Sequence, residues 1–414
     1  MTTFQPSRPG ERMLAVEEAQ ERVLAEVAPL GDEEIAFSDA LGRVLAEDVR
    51  AVHDIPQGDN AAMDGYAVRA DDLANVPCSL PVIDDLPAGR IATKRLEPAS
   101  AIRIMTGALL PAGADTVIQV ELTDAGREVV RIAQALPRGA NVRRRGEDMR
   151  AGDVVLAAGT PLGAAEIGVL AAVQRQRVRV GRRPTVAILS TGDELVDVGE
   201  ARGDGQVVNS NAYALAALVA ESGAIPRSYG LVRDSAEETT RAIESALACD
   251  VVVSSGGVSA GAYDFVKAAL DALGGEMLFS KVAMKPGKPV VLARVRGRLY
   301  FGLPGNPVSS MVSFLLFVAP ALRKAMGQRA HLVPPTVTAM LDAPLTSRGD
   351  RRAYLRVRVS ADAHGALVAS PMRAQGSGVS TSMVGANGLA VIEAEVDRVE
   401  VGAAVKVVLF GSVR

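Results

Sequence analysis

From Thr185 to Val308, apolar runs alternate with polar, Gly/Pro-rich turns, and helical patterns separate most of them. TVAILSTGDEL breaks at Ser190-Thr191-Gly192 into an acidic turn. Arg227 to Val232 ends in Arg233-Asp234-Ser235, and DVVVSSGGVSAGAYD ends in two serines, two glycines and then Asp264. MKPGKPVVLARV and RLYFGLPGNPVSS complete the stretch. This alternation predicts an open, mainly parallel α/β sheet. Ligands bind such sheets outside the carboxyl ends of the strands. Here those ends carry Glu194, Asp234, Asp264, Lys285, Lys288 and Asn306. Asn209 or Asn211 caps the helix AYALAALVAESG, which Gly223 ends. Ser235 opens a capping box before TTRAIESALA, and Asp264 is placed to cap a helix from Phe265 to Leu273.

Upstream, residues 12–28 have apolar positions at helical spacing. Pro56, Gly58 and Asp59 mark a turn, and Gly65 allows a tight turn between Asp64 and Tyr66. From Pro77 to Pro137 short alternating runs sit between Pro and Gly turns, which predicts a small β domain with Thr106-Gly107 at the end of AIRIM. A strand VVLAAG and a helix from about Gly163 to Gln174 follow. After Gly327 the pattern switches to period two, in TVTAML, AYLRVRVSA, GLAVIEAE and AAVKVVLF, which predicts a β-barrel or sandwich. QGSGVSTSM, between those strands, is too long and Gly/Ser-rich for a plain hairpin turn. The expected organisation is multidomain α/β plus β. A discontinuous N-terminal mixed domain (1–50 and 140–180) is interrupted by an inserted β domain (51–139). An α/β domain (181–328) and a C-terminal β domain (329–414) follow.

Composition narrows the function classes. A length of 414 residues accommodates about two to four domains. The formal net charge of −3 provides no basic field for nucleic acid. Tryptophan is absent and aromatics are 3%, so base-stacking platforms are not expected. Cys78 and Cys249 are far apart and form no CxxC pair, which argues against a metal knuckle or disulfide framework. MTTFQPSRPGERML has no apolar leader, and the most apolar run, Met311 to Leu322, is short, stops near Pro320 and reads as a buried helix. The expected location is cytoplasmic, without a membrane partner.

Several standard motifs are missing: GxxxxGK[ST], the tight GxGxxG, HExxH and GxSxG. What remains suits an oxyanion and a metal. Thr191-Gly192 and Ser254-Ser255-Gly256-Gly257 can present N–H groups and hydroxyls to a phosphate. Asp234, Asp264 and Glu194 are hard oxygen donors of the kind that hold Mg2+ across phosphates. Lys281, Lys285 and Lys288 can neutralise an oxyanion. Each has a plainer reading: a Gly-Gly turn, a helix cap, solvated lysines around a stiff KPGKP turn. The run Arg143-Arg144-Arg145 reads as a local salt-bridge partner. Arg352, Arg356 and Arg358 share one strand face, either as an edge-protecting charge row or as an anion-facing patch.

Taken in order, Ala61-Ala62-Met63-Asp64-Gly65-Tyr66-Ala67, MTGA (105–108), GEDM (146–149), STGDEL (190–195), GGVSAGAYD (256–264), MKPGKP (284–289) and GLPGNPVS (302–309) resemble the molybdopterin molybdenumtransferases. These are the bacterial MoeA proteins and their animal relative, the E domain of gephyrin. The motifs cover about residues 55–310. The resemblance implies a molybdenum insertase that acts on molybdate and adenylated molybdopterin, releases AMP and uses a divalent cation. It implies four domains and an elongated homodimer. Each cleft would lie between the inserted domain of one subunit and the α/β and C-terminal domains of the other. It assigns functional positions to Asp64, Thr106, Asp148, Glu194, Asp234, Asp264, Lys281, Lys285, Pro304 and Pro307. With Thr191, Gly192, Ser255, Gly256, Gly257, Lys288 and Asn306 these make the expected site, in which Asp234 and Asp264 hold the metal. Expected partners are a molybdopterin adenylyltransferase and apo-molybdoenzymes. Ala61 stands where many relatives have serine. Ser235 stands where they often have a second aspartate, which removes one possible metal-site carboxylate. The alternatives are an adenylyltransferase, whose fold resembles the α/β domain alone, and a gephyrin-like non-catalytic scaffold.

Overall fold

A computed structural model describes residues 12–258 and 265–413. The chain divides into two compact units. One comprises residues 47–158 and 164–176; the other holds the rest of the chain.

The larger unit is built on a six-stranded sheet of β1 (Thr185–Thr191), β2 (Ile225–Val232), β3 (Val251–Ser255), β4 (Glu276–Phe279), β5 (Val291–Val295) and β6 (Arg298–Leu303). Their order is β2-β1-β3-β6-β5-β4. The β1–β2, β1–β3 and β3–β6 pairs are parallel, whereas β5 runs antiparallel to both neighbours. The sheet is therefore mainly parallel with one reversed strand. Both faces are covered, which is why the inner strands β1 and β3 read as nearly unbroken apolar runs. Val186, Ile188, Val251 and Val253 face one core, and Ala187, Leu189 and Val252 face the other. The first core takes in α1 (Val16–Ala25) and α2 (Ser210–Glu221). The second packs α3 (Ala236–Ala246) and α4 (Phe265–Ala272).

After β6 the chain stays helical from Pro307 to Ala325, with a π turn at Phe314–Val318. The expected stop near Pro320 does not occur. Proline has no N–H for the Leu316 carbonyl four residues back, and the Gln20 side-chain amide donates to that carbonyl at 3.0 Å instead. This is the one helix among the described residues long and apolar enough to cross a membrane, but 83% of its apolar window is buried in the protein. It is a core helix, as its composition suggested.

The carboxy-terminal strands β7 (Thr336–Leu341), β8 (Arg352–Ala361), β9 (Leu367–Pro371), β10 (Gly388–Ile392) and β11 (Ala404–Leu409) close a ring in the order β7-β9-β8-β10-β11. The ring is completed by β11 pairing back onto β7, so the period-two segment forms a barrel. Met284–Lys285 adds a short parallel pairing to the start of β8. Because β8 is paired along both sides, its arginines guard no edge. Arg352 instead bonds Glu393 at 2.9 Å and pairs with Glu17.

In the smaller unit, Gly65–Val68 lies between Ala101–Ile104 and Thr116–Gln119, antiparallel to both. Cys78–Leu86 and Val129–Ile132 extend the sheet beyond Ala101–Ile104. A Cβ at Gly65 would lie 1.9 Å from the Ile118 carbonyl oxygen, so backbone proximity requires glycine there.

One buried ion pair braces the amino-terminal edge of the large sheet. Asp250 has a side chain 7% exposed, and Arg182 forks onto both its oxygens at 3.0 and 2.7 Å. The Thr185 backbone N–H and hydroxyl each donate to it at 2.8 Å. Burial, the largest single influence, pushes the carboxyl up, but the Arg182 and Thr185 hydrogen bonds together bring it down to about 2. Its folded-state value thus lies below the unfolded one, near 3.9. The stabilisation is full above about pH 4 and is lost as pH falls toward 2. Asp250→Asn keeps the shape and removes the charge. It is expected to cost about 2 kcal/mol at pH 7 and to flatten the acid limb of the stability curve between pH 4 and 2, measured by urea unfolding at several pH values. An unchanged acid limb would refute this.

Candidate active site

Strands β1 and β3 are neighbours, but the chain leaves β1 toward β2 on one side and reaches β3 on the other. Such a switch point opens a crevice at the carboxyl edge. A cavity of about 740 Å³ lies there. The end of β1 lines it with Ser190, Thr191, Gly192 and Glu194, and the turn after β2 adds Asp234. The end of β3 brings Ser255, Gly256 and Gly257, and the turn after β6 brings Pro304, Gly305, Asn306 and Pro307.

The β1 and β3 ends fit closely. Gly256 and Gly257 have φ of +97° and +66°, and a Cβ on either would lie 2.9 Å from the Thr191 hydroxyl oxygen. Glycine is needed there both for the backbone angle and for the approach. Ser190 and Thr191 are buried, and their hydroxyl oxygens have no hydrogen-bond partner among the described residues. Buried polar atoms are ordinarily satisfied, so hydroxyls left open beside a cavity are suited to a polar ligand.

The acids are held by the backbone. The Asp234 N–H donates to the Asp193 carboxylate at 3.1 Å, and the Arg233 side chain donates to the Asp193 carbonyl at 3.0 Å. Asp234 in turn accepts from the Asp193 backbone N–H. Its carboxyl is raised, first by burial and then by the negative charges of Asp193 and Glu194. Among the described residues no three His, Cys, Asp or Glu side chains are grouped to hold a metal ion. Asp264, the second expected metal ligand, lies outside the described residues.

Ten of the expected residues therefore meet in one cavity, and the lysines do not. Lys281, Lys285 and Lys288 do not line it, although Pro289, next in the chain, does. The exposed Lys285 ammonium donates to the Arg348 carbonyl at 2.8 Å, because the pairing of Met284–Lys285 with β8 turns this segment toward the barrel. In the smaller unit, Asp64 accepts from both the backbone N–H and the hydroxyl of Thr106 at 2.7 Å each, and these bonds lower its carboxyl. Asp148 is exposed, its backbone N–H bonded to Ile55 at 3.1 Å.

The cavity also has walls that the linear pattern did not reveal. Asn209, Ser210 and Asn211 line it from the first turn of α2, and Gly378 and Ser380 from the Gly/Ser segment after β9. That segment is pinned by Arg356, which is fully buried on β8. Its guanidinium donates to Ser382 at 3.1 Å and to the carbonyls of Ala374 and Gly376 at 3.3 and 3.1 Å. Burial lowers it to about 10, which leaves it charged at neutral pH. Arg356 is thus neither an edge guard nor a surface patch, but a buried anchor for a cavity wall. The unusual length and composition of QGSGVSTSM were the available signal.

Since the folded-state value of Asp234 lies above its unfolded one, its ionised form subtracts stability at neutral pH. Glu194→Gln removes one like charge, and should lower the Asp234 titration midpoint observed by carbon-13 NMR. Asp234→Asn should leave the thermal midpoint at pH 7 no lower than that of the wild type. A clear loss of thermal stability would show that contacts of the carboxylate outweigh its burial and repulsion.

Known proteins resemble this chain over most of its length. Family profiles match along the chain: the MoeA N-terminal region (domain I and II) over residues 14–173, a probable molybdopterin binding domain over 187–324, and the MoeA C-terminal region (domain IV) over 338–410. The molybdopterin molybdenumtransferase of Nostoc sp. is 40% identical over 324 residues, 76% of this chain and 74% of that protein. That of Bacillus subtilis is 35% identical over 406 residues, 96% of this chain and 94% of that protein. A crystal structure of a molybdopterin biosynthesis MoeA protein from Pyrococcus horikoshii is 29% identical with a TM-score of 0.81, covering 96% of this chain and all of that one. The chain belongs to the MoeA family.

Proposed function

We propose that this protein is a molybdopterin molybdenumtransferase, which inserts molybdenum from molybdate into the dithiolene of adenylated molybdopterin and releases AMP. The observation that carries the reading is the cavity at the carboxyl edge, where two glycine loops, two buried hydroxyls without a partner among the described residues, and the acids Glu194 and Asp234 converge. The loops after β1 and β3 supply N–H and hydroxyl donors to the pterin phosphate region. Asn306 and the flanking Pro304 and Pro307 form the opposite wall. The donor set fits a hard divalent cation: Glu194, Asp234 and the Thr191 hydroxyl offer oxygens, and a cation would relieve the repulsion that raises Asp234. Those residues would hold Mg2+, which would supply positive charge to offset the negative charge of the phosphate. Lys281, Lys285 and Lys288 stand outside the lining of this cavity, and by the family resemblance they are assigned to molybdate, whose negative charge an ammonium attracts.

The same reading includes a cytoplasmic homodimer and the four-domain division set out from sequence texture. It also includes the family's composite clefts, with Asp64, Thr106 and Asp148 acting from the partner's inserted domain. An adenylyltransferase would consume ATP and free molybdopterin, and a scaffold would turn over neither. Cofactor formation in vitro from adenylated molybdopterin and molybdate separates the three.

In that assay Asp234→Asn should lower insertion at least about tenfold without unfolding the chain, the scale for a lost charge-assisted contact. Lys285→Ala should raise the molybdate requirement more than it weakens pterin binding. Collapse of pterin affinity with an unchanged molybdate requirement would remove Lys285 from the oxyanion site. Asp64→Ala and Lys285→Ala should each be nearly inactive alone. A re-equilibrated equimolar mixture should recover about a quarter of wild-type activity, because half the dimers are mixed and each keeps one intact cleft. No recovery would mean that both residues serve the same subunit's cleft.

A further inference from the structure

We propose that Asn211 is a positioning residue for this reaction: its side-chain amide locks the Gly256–Gly257 loop to the Pro304–Asn306 loop and so fixes the shape of the cavity. What the cavity binds rests on the functional reading above; the clamp itself does not.

The capping of α2 frees Asn211 for this role. Asn209 takes the cap position, its side chain accepting from the Ala212 N–H at 3.3 Å. Asn211, two residues on, instead reaches over the carboxyl edge of the sheet. Its Nδ2 donates to the Ser255 hydroxyl at 2.7 Å and to the Gly305 carbonyl at 2.7 Å. A carbonyl can only accept, which identifies the amide nitrogen at this position. The Ser255 hydroxyl accepts from that nitrogen and so directs its own proton to the Pro304 carbonyl, at 3.4 Å. One amide therefore joins the ends of β3 and β6 through three linked hydrogen bonds.

The loops it joins have little rigidity of their own. Regular pairing of β3 with β6 ends at Ser255 and Leu303, followed by the Gly256 N–H donating to the Leu303 carbonyl at 3.0 Å. Beyond that point the chain runs through Gly256 and Gly257 on one side and Gly305 on the other, residues with wide conformational freedom. Loops that must be ordered on binding weaken affinity by that entropy, and ordering them beforehand restores it. The clamp acts on ligand capture more than on the chemical step.

The test uses the full chain and two variants. Asn211→Ala removes the amide. Asn211→Asp keeps the shape and an acceptor oxygen but removes both N–H donors. Backbone hydrogen exchange at Gly256, Gly257, Gly305 and Asn306 should accelerate about tenfold in both variants, the scale of two ordinary hydrogen bonds. Exchange in β1 and in α2, which keeps its Asn209 cap, should not change. The KM for adenylated molybdopterin should rise about tenfold with kcat within about twofold. In a Ser255→Ala background, Asn211→Ala should have a much smaller effect on that KM, because the two side chains form one clamp. Wild-type exchange at both loops, loosening of α2 in step with them, a fall in kcat at constant KM, or strict additivity with Ser255→Ala would each overturn the proposal. If the wild type forms no cofactor, the functional reading fails, and the exchange measurement still decides whether the clamp exists.

Discussion

The switch of chain direction at the carboxyl ends of β1 and β3 is the constraint on which the rest depends. Side by side, these two strands share a parallel ladder from Val186 to Ser190 and from Val251 to Ser255. Past that ladder the chain from β1 crosses to β2 on one side, while β3 is flanked on its other side by β6, which leaves a crevice at the carboxyl edge. A parallel sheet cannot fill that gap with its own hydrogen bonds. The gap is lined instead by the hydroxyls of Ser190, Thr191 and Ser255, which take no part in the strand ladders, and by the glycine turns. The buried apolar faces of the sheet hold the strands in register, so the open groups at their ends stay open. A preorganised polar crevice then follows from sheet topology.

The acids show how that crevice stores charge. Burial raises the Asp234 carboxyl, and Asp193 and Glu194 raise it further. Reciprocal backbone bonds between residues 193 and 234 hold the group in place without neutralising it. Asp250, at the opposite edge of the same sheet, is the contrast. It is buried too, yet Arg182 and Thr185 surround it and carry its carboxyl the other way. One carboxylate is satisfied by the fold and braces it. The other accepts a backbone N–H but meets no cation among the described residues, and two neighbouring acids raise it further.

What could be read from the sequence, and what could not, divides by range. Strand ends were visible because a Gly or hydroxyl residue interrupts an apolar run locally, so Thr191, Gly192, Ser255, Gly256 and Gly257 could be named from neighbours alone. Asp234 was visible for the same reason. The lysines stand apart from the lining of the crevice because Met284–Lys285 pairs with Arg352–Ala353, far along the chain. A period of two or 3.6 carries no information about such a partner. The helix through Pro320 was misjudged at its end because the group that satisfies Leu316 is Gln20, 296 residues away. Asn211 was read only as a cap candidate, since its partners Ser255 and Gly305 belong to strands not yet paired in sequence space.

Arg356 carries the same lesson one step further. By pattern it belongs to an exposed row with Arg352 and Arg358. In the barrel β8 is flanked on both sides, and Arg356 points into the interior toward the Gly/Ser segment. A buried guanidinium that meets only carbonyls and a hydroxyl is costly, and among the described residues no carboxylate pairs with it. A structural anchor alone would be cheaper as a neutral amide or a hydroxyl. One of its nitrogens, Nη1, is buried with no partner among the described residues. The segment it ties down contributes Gly378 and Ser380 to the crevice. The barrel thus completes a crevice whose other walls come from the sheet, through an arginine that no local pattern marks as interior.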